Sequence, residues 1–97
     1  MSDSVLYVGK EHPDHYVAKM REMIDKGAER IVLKARGRAI SRAVDVSQVA
    51  SRTLGLRIGS VRIDTERRRL RDGREIGLST MEITMESVTR QFTPSQW

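Results

Sequence analysis

Four cations surround one glycine in the run Lys34-Ala35-Arg36-Gly37-Arg38-Ala39-Ile40-Ser41-Arg42. The run reads as a strand end, a tight turn at Gly37 and a helix N-terminus. Free backbone N–H groups and the helix dipole favour an anion at such a turn. Arg36 and Arg38 flank the glycine with forked donors, and Arg42 lies one helical turn beyond Arg38. With Lys34, they offer phosphate binding. The plain alternative is a helix start dressed with solvated arginines.

A second cluster is Arg67-Arg68-Arg69-Leu70-Arg71-Asp72-Gly73-Arg74, with five arginines in eight residues. Asp72-Gly73 is a favoured hairpin turn, which places the cluster at a hairpin tip. Like charges at this density repel each other unless an anion lies among them. An arginine-bearing arm can track phosphates or enter a minor groove. Here the plain alternative is a solubilising tip.

Catalytic and metal chemistry find less support. His12 and His15 are the only histidines, three residues apart beside Glu11 and Asp14, and no distant third ligand completes a metal site. Cysteine is absent, which excludes disulfides, thiolate metal sites and a thiol nucleophile. No glycine-rich nucleotide-cradling loop occurs. No cofactor and no enzymatic activity are expected.

Composition points the same way. The 97 residues carry 18 Lys and Arg against 13 Asp and Glu, for a net charge of +5, and 14 of the cations are arginine. A basic small domain suits nucleic acid, an anionic membrane or an acidic protein. Apolar residues make up only 38%, so a second subunit is expected to supply missing core contacts. The longest apolar run, Val5-Leu6-Tyr7-Val8, is far short of the roughly 18 residues of a membrane span. Met1-Ser2-Asp3-Ser4 lacks the basic start of a signal peptide. A soluble intracellular protein with no membrane partner is expected.

The elements that must position these residues follow from periodicity. Ser4 to Val8 reads as a strand stopped by Gly9, and residues 13–26 as a helix with Pro13 in its first turn and Gly27 after its end. Arg30 to Ala35 is a strand with a continuous apolar triplet, as in strands covered on both faces or central in a sheet. Ile40, Ala43, Val44, Ser47, Ala50 and Leu54 keep a helical period until Gly55. Ile58, Val61 and Ile63, then Met81, Ile83 and Met85, alternate with polar residues as strands do. The slip at Gly59 marks a bulge. Residues 67–76 join these two strands. The order is β-α-β-α-β-β in an α/β, two-layer sandwich: one domain over 1–97, with an ordered core of about 4–87 and a frayed tail over 88–97.

The segment from Ile31 to Asp45 resembles the signature of the Alba family of archaeal chromatin proteins. Val8-Gly9-Lys10 and Tyr16-Val17 are similar to that family's first strand, lysine-bearing turn and first helix, so the resemblance spans about residues 5–86. It implies a homodimer that binds double-stranded DNA, and often RNA, with little sequence preference. By position it assigns Lys10, Lys34, Arg36, Arg38 and Arg42 to the binding surface, with the hairpin arginines as arms. Two departures stand out. Glu11 replaces a second lysine common in the family, and Leu54 stands where many members place an aromatic that packs dimers side by side.

Together these readings predict a chromosome-associated, cytoplasmic protein that coats nucleic acid through phosphate contacts. Phosphate contacts position a protein without reading sequence. With only Tyr7, Tyr16, Phe92 and Trp97 as aromatics, duplex or structured RNA is expected over single strands. The rival is a basic protein-interaction subunit of a ribonucleoprotein, with RNA as its ligand. Dimer contacts are expected from the second helix and the final hairpin.

Overall fold

In a computed structural model the described residues are 3–88. The elements are β1 (Ser4–Tyr7), α1 (Pro13–Asp25), β2 (Arg30–Arg36), α2 (Ala39–Leu54), β3 (Leu56–Arg69) and β4 (Glu75–Ser87). They form one four-stranded sheet in the order β1-β2-β4-β3, with β1 parallel to β2 and the other pairs antiparallel. The predicted element order and the α/β class are observed. Val88 is exposed and follows the last strand; the rest of the predicted tail lies outside the described residues.

Both helices cover one face of the sheet. Ile31, Leu33 and Ala35 of β2 and Ile83 and Met85 of β4 meet Tyr16 and Met20 of α1 and Ala43, Val46 and Ala50 of α2. β2 is central, between β1 and β4, as its apolar triplet implied. Val32 is buried on the opposite face, where its register neighbours are Val5 and Thr84. Among the described residues no helix is long and apolar enough to cross a membrane.

Local signals explain the boundaries. The Nδ1 of His12 accepts the Asp14 N–H at 3.1 Å and caps α1, with Pro13 in the first turn where its missing N–H is no loss. Gly55 ends α2 in the left-handed conformation. The expected bulge lies between Ile58 and Ser60. At Gly59 a side chain would come within 3.1 Å of the Glu86 carboxyl group, so glycine leaves room for Glu86 to lie across the sheet.

Two expectations are corrected. Val44 is among the residues that keep the period of α2, but it is 39% exposed, whereas Val46, outside that set, is buried. The stripe that α2 turns inward runs through Ala43, Val46, Ser47 and Ala50. Residues 67–76 were placed in the connection, yet β3 runs to Arg69 and β4 starts at Glu75, so only Leu70–Arg74 turns. Arg67, Arg68 and Arg69 pair in register with Gly77, Ile76 and Glu75. Backbone pairing carries the ladder past the point where apolar alternation stops. The Asp72-Gly73 pair does sit in the turn, closed by Leu70 N–H to the Arg74 carbonyl at 2.7 Å and Gly73 N–H to the Leu70 carbonyl at 2.9 Å.

Candidate nucleic-acid interface

β1 and β2 are parallel, and β3 runs in the same sense as β2, so their C-terminal ends share one end of the molecule. Three features emerge there: the β1–α1 turn bearing Lys10, the β2–α2 turn bearing Arg36 to Arg38, and the β3–β4 arm. Beyond the last β2 rung, Arg36 opposite Thr80, the arm continues through Thr65–Arg69 and Ser79–Glu75. Five further rungs at the usual strand rise project roughly 17 Å, before the turn itself.

The β1–α1 turn is pinned from two sides. The buried Tyr16 hydroxyl accepts the Gly9 N–H at 2.8 Å and the Glu11 N–H at 3.1 Å. From α2, Arg42 donates to the Gly9 carbonyl at 3.1 Å. The sequence placed Arg42 with Arg38 in a phosphate cradle. Its half-buried guanidinium instead braces the loop that carries Lys10, which leaves its remaining N–H groups for any ligand. Tyr16→Phe removes the acceptor of two backbone N–H groups, and stability is expected to fall by about 1–2 kcal/mol. Urea unfolding of the variant beside the parent measures that loss.

At the β2–α2 turn Gly37 has φ 58°, a left-handed conformation that favours glycine, and its N–H donates to the Ser79 carbonyl at 2.8 Å. Arg38 caps α2 without a side-chain hydrogen bond. Lys34 and Arg36, however, project from the sheet face opposite the helices, with Arg30 and Val32. Each is met there by a carboxylate. Lys34 Nζ lies 3.6 Å from Glu82 Oε2, and Arg36 Nη1 lies 3.1 Å from Glu66 Oε1. Glu86 bridges Arg30 at 3.5 Å and Arg57 at 2.6 Å on the same face. The four predicted cations are therefore not one cradle. Two lie in a charge lattice on the open sheet face, one stands at the helix start and one braces a loop.

Glu66 also accepts from Arg68, at 3.5 Å, so it ties the arm to the body. The Arg36 hydrogen bond, then the charges of Arg36 and Arg68, hold its carboxyl below the ordinary carboxylate range. A depressed pKa means that the pair's contribution is present at neutral pH and is lost as pH falls through the lowered value. Such exposed pairs are weak and yield to a better anion.

On the arm, Arg69 pairs with Glu75 at 3.1 Å and Arg74 with Asp72 at 2.8 Å. Local carboxylates thus relieve part of the repulsion expected within the arginine run. Among the described residues Lys10, Arg38, Arg67 and Arg71 have no carboxylate partner within 4.0 Å, and all four are exposed. Leu54 is half-buried and packs against the core cluster at the end of α2. No group of three His, Asp or Glu residues that could hold a metal ion occurs among the described residues.

Three lining residues escaped the sequence reading: Tyr7, Glu66 and Glu82. They share with Lys10, Lys34 and Arg36 a groove of about 820 Å³ at the end of the sheet. The available signal was parity. Leu6 and Val8 pack inward, so Tyr7 must face the other way, and it is 71% exposed.

Fold and charge together define a small α/β sandwich with unpaired cations gathered at one end and along a hairpin arm. The chain belongs to the Alba family, whose sequence model matches residues 4–65. It is 34% identical over 86 residues to the DNA/RNA-binding protein Alba of Methanococcus maripaludis, covering 86% of this chain and 97% of that relative. It is 35% identical to the protein of the same name in Methanocella arvoryzae, covering 87% and 90%. Alba from Thermoplasma volcanium superposes with a TM-score of 0.77 at 30% identity, over 86% of this chain and 99% of that one. ALBA1 of Trypanosoma brucei shares the fold, with a TM-score of 0.73 at 15% identity over 91% and 72%.

Proposed function

We propose that this chain is a homodimeric, chromosome-associated protein of the cytoplasm that binds double-stranded DNA, and structured RNA, through phosphate contacts. The observation that carries this reading is the gathering of Lys10, Arg38 and the arm arginines at one end of the sheet, without carboxylate partners at Lys10, Arg38, Arg67 and Arg71. Its relatives are named DNA/RNA-binding proteins. Gly37 lets the backbone turn sharply, so that the start of α2 presents free N–H groups beside Arg38. Arg36, Lys34, Arg68, Arg69 and Arg74 serve as a second rank, released to phosphate when their surface carboxylates are displaced. Arg42 acts chiefly by holding the Lys10 turn.

Support for the dimer is an apolar strip. Ile58, Val61 and Ile63 lie on the helix-side face of the edge strand β3, beyond the cover of the helices, and are 37%, 54% and 73% exposed. Pairing two copies through this strip buries it and protects an open sheet edge. Leu54, already engaged with its own core, offers little to a neighbouring dimer, so cooperative coating of DNA is weak.

Competition among unrelated duplexes tests the reading. Affinities within a few-fold of each other are expected, because base readout would discriminate by about 1–3 kcal/mol per mismatched pair. One duplex preferred by a hundredfold would overturn it. Glu66→Gln supplies an independent check. It frees Arg36 and Arg68 from a competing carboxylate, and duplex affinity is expected to rise several-fold at about 0.1 M salt, as read by fluorescence anisotropy.

A further inference from the structure

The groove at the end of the sheet is not built as a phosphate track alone. Its cations, Lys10, Lys34 and Arg36, are accompanied by the carboxylates of Glu66 and Glu82. A continuous run of phosphates lying there would meet two like charges. At its wall stands Tyr7, in register with Lys34 on the open face and 71% exposed. A large ring held in solvent on an edge strand, bordered by cations and acceptors, matches the parts of one unstacked nucleotide. The ring offers a stacking face, the carboxylates accept from an exocyclic amino group, and Lys10 at the rim meets the phosphate. The groove's volume, about 820 Å³, falls within the range of small-ligand sites and exceeds the needs of one base. β1 forms the edge opposite β3, so the apolar strip can be covered while Tyr7 stays open.

We infer that Tyr7 forms a stacking site for a single unpaired nucleotide, with Glu82 or Glu66 accepting from its amino edge. This rests on the nucleic-acid reading above and deepens it: a duplex bearing a bulge or an open end is held by phosphate contacts plus one stacked base. Bases with an amino group, such as cytosine, are favoured over thymine, which offers the carboxylates none.

The test uses the full chain and three DNA probes: a paired duplex, the same duplex with one bulged cytosine, and one with a bulged thymine. The cytosine bulge is expected to bind about tenfold more tightly than the paired duplex, with thymine between them. Tyr7→Leu should erase the advantage and leave paired-duplex affinity unchanged, whereas Tyr7→Phe should keep it. A bulged 2-aminopurine should lose fluorescence on binding the parent and not on binding Tyr7→Leu. Equal affinity for paired and bulged probes, or an equal effect of Tyr7→Leu on both, would overturn the stacking site while leaving the phosphate reading intact. Failure to bind any probe would overturn both.

Discussion

Raising monovalent salt from about 50 to about 200 mM is expected to weaken duplex binding by roughly 10⁴-fold. The four unpaired cations at the turn end and on the arm of each chain, Lys10, Arg38, Arg67 and Arg71, give a dimer eight phosphate partners. Each contact releases about 0.9 counterion from B-DNA, so log affinity falls against log salt with a slope near −7. Replacing Arg38 by Ala removes two contacts per dimer and should flatten the slope by nearly two, alike on all duplexes. Arg36→Ala should flatten it less, because Arg36 already shares its charge with Glu66. Anisotropy titrations at four salt concentrations resolve these slopes. A salt-independent affinity would exclude phosphate as the principal contact.

That ranking of the arginines could not be drawn from the sequence, and the reason is distance along the chain. The elements were legible because their signals are local: alternation in β4, the 3.6-residue period of α2, and Gly55 after its last turn. Even the bulge at Gly59 showed as a slip in the apolar pattern. Glu66, by contrast, lies 30 residues from Arg36, and they meet only because β4 places β2 and β3 at one fixed register. The Arg42 bond to the Gly9 carbonyl spans 33 residues, from the first turns of α2 to the β1–α1 loop. Composition announced an excess of cations; sheet register decided which of them are left unpaired. The arm shows the converse error. Arg67 to Arg69 lack apolar alternation and so resemble a loop, yet the backbone ladder needs no apolar side chain once β4 lies alongside.

Replacing Val61 and Ile63 together by glutamate is expected to turn the proposed dimer into a monomer. Both side chains lie outside the core cluster and more than half of each is exposed, so the chain should keep its circular dichroism spectrum. Covering such partly exposed aliphatics contributes about 1–2 kcal/mol each. Two from each copy give about 4–8 kcal/mol, or roughly 10³–10⁶ in the dissociation constant, before repulsion between the new carboxylates is added. Sedimentation equilibrium at micromolar concentration should show about twice the 11.1 kDa chain mass for the parent and the single-chain mass for the variant. A parent that sediments as a monomer, or a variant that stays dimeric, would remove the strip from the interface. The consequence for binding separates association from charge. The variant keeps Lys10, Arg38, Arg67 and Arg71 but joins no second set to them, so its salt slope should halve to near −3.5. Arg38→Ala, in contrast, flattens the slope while the protein remains a dimer.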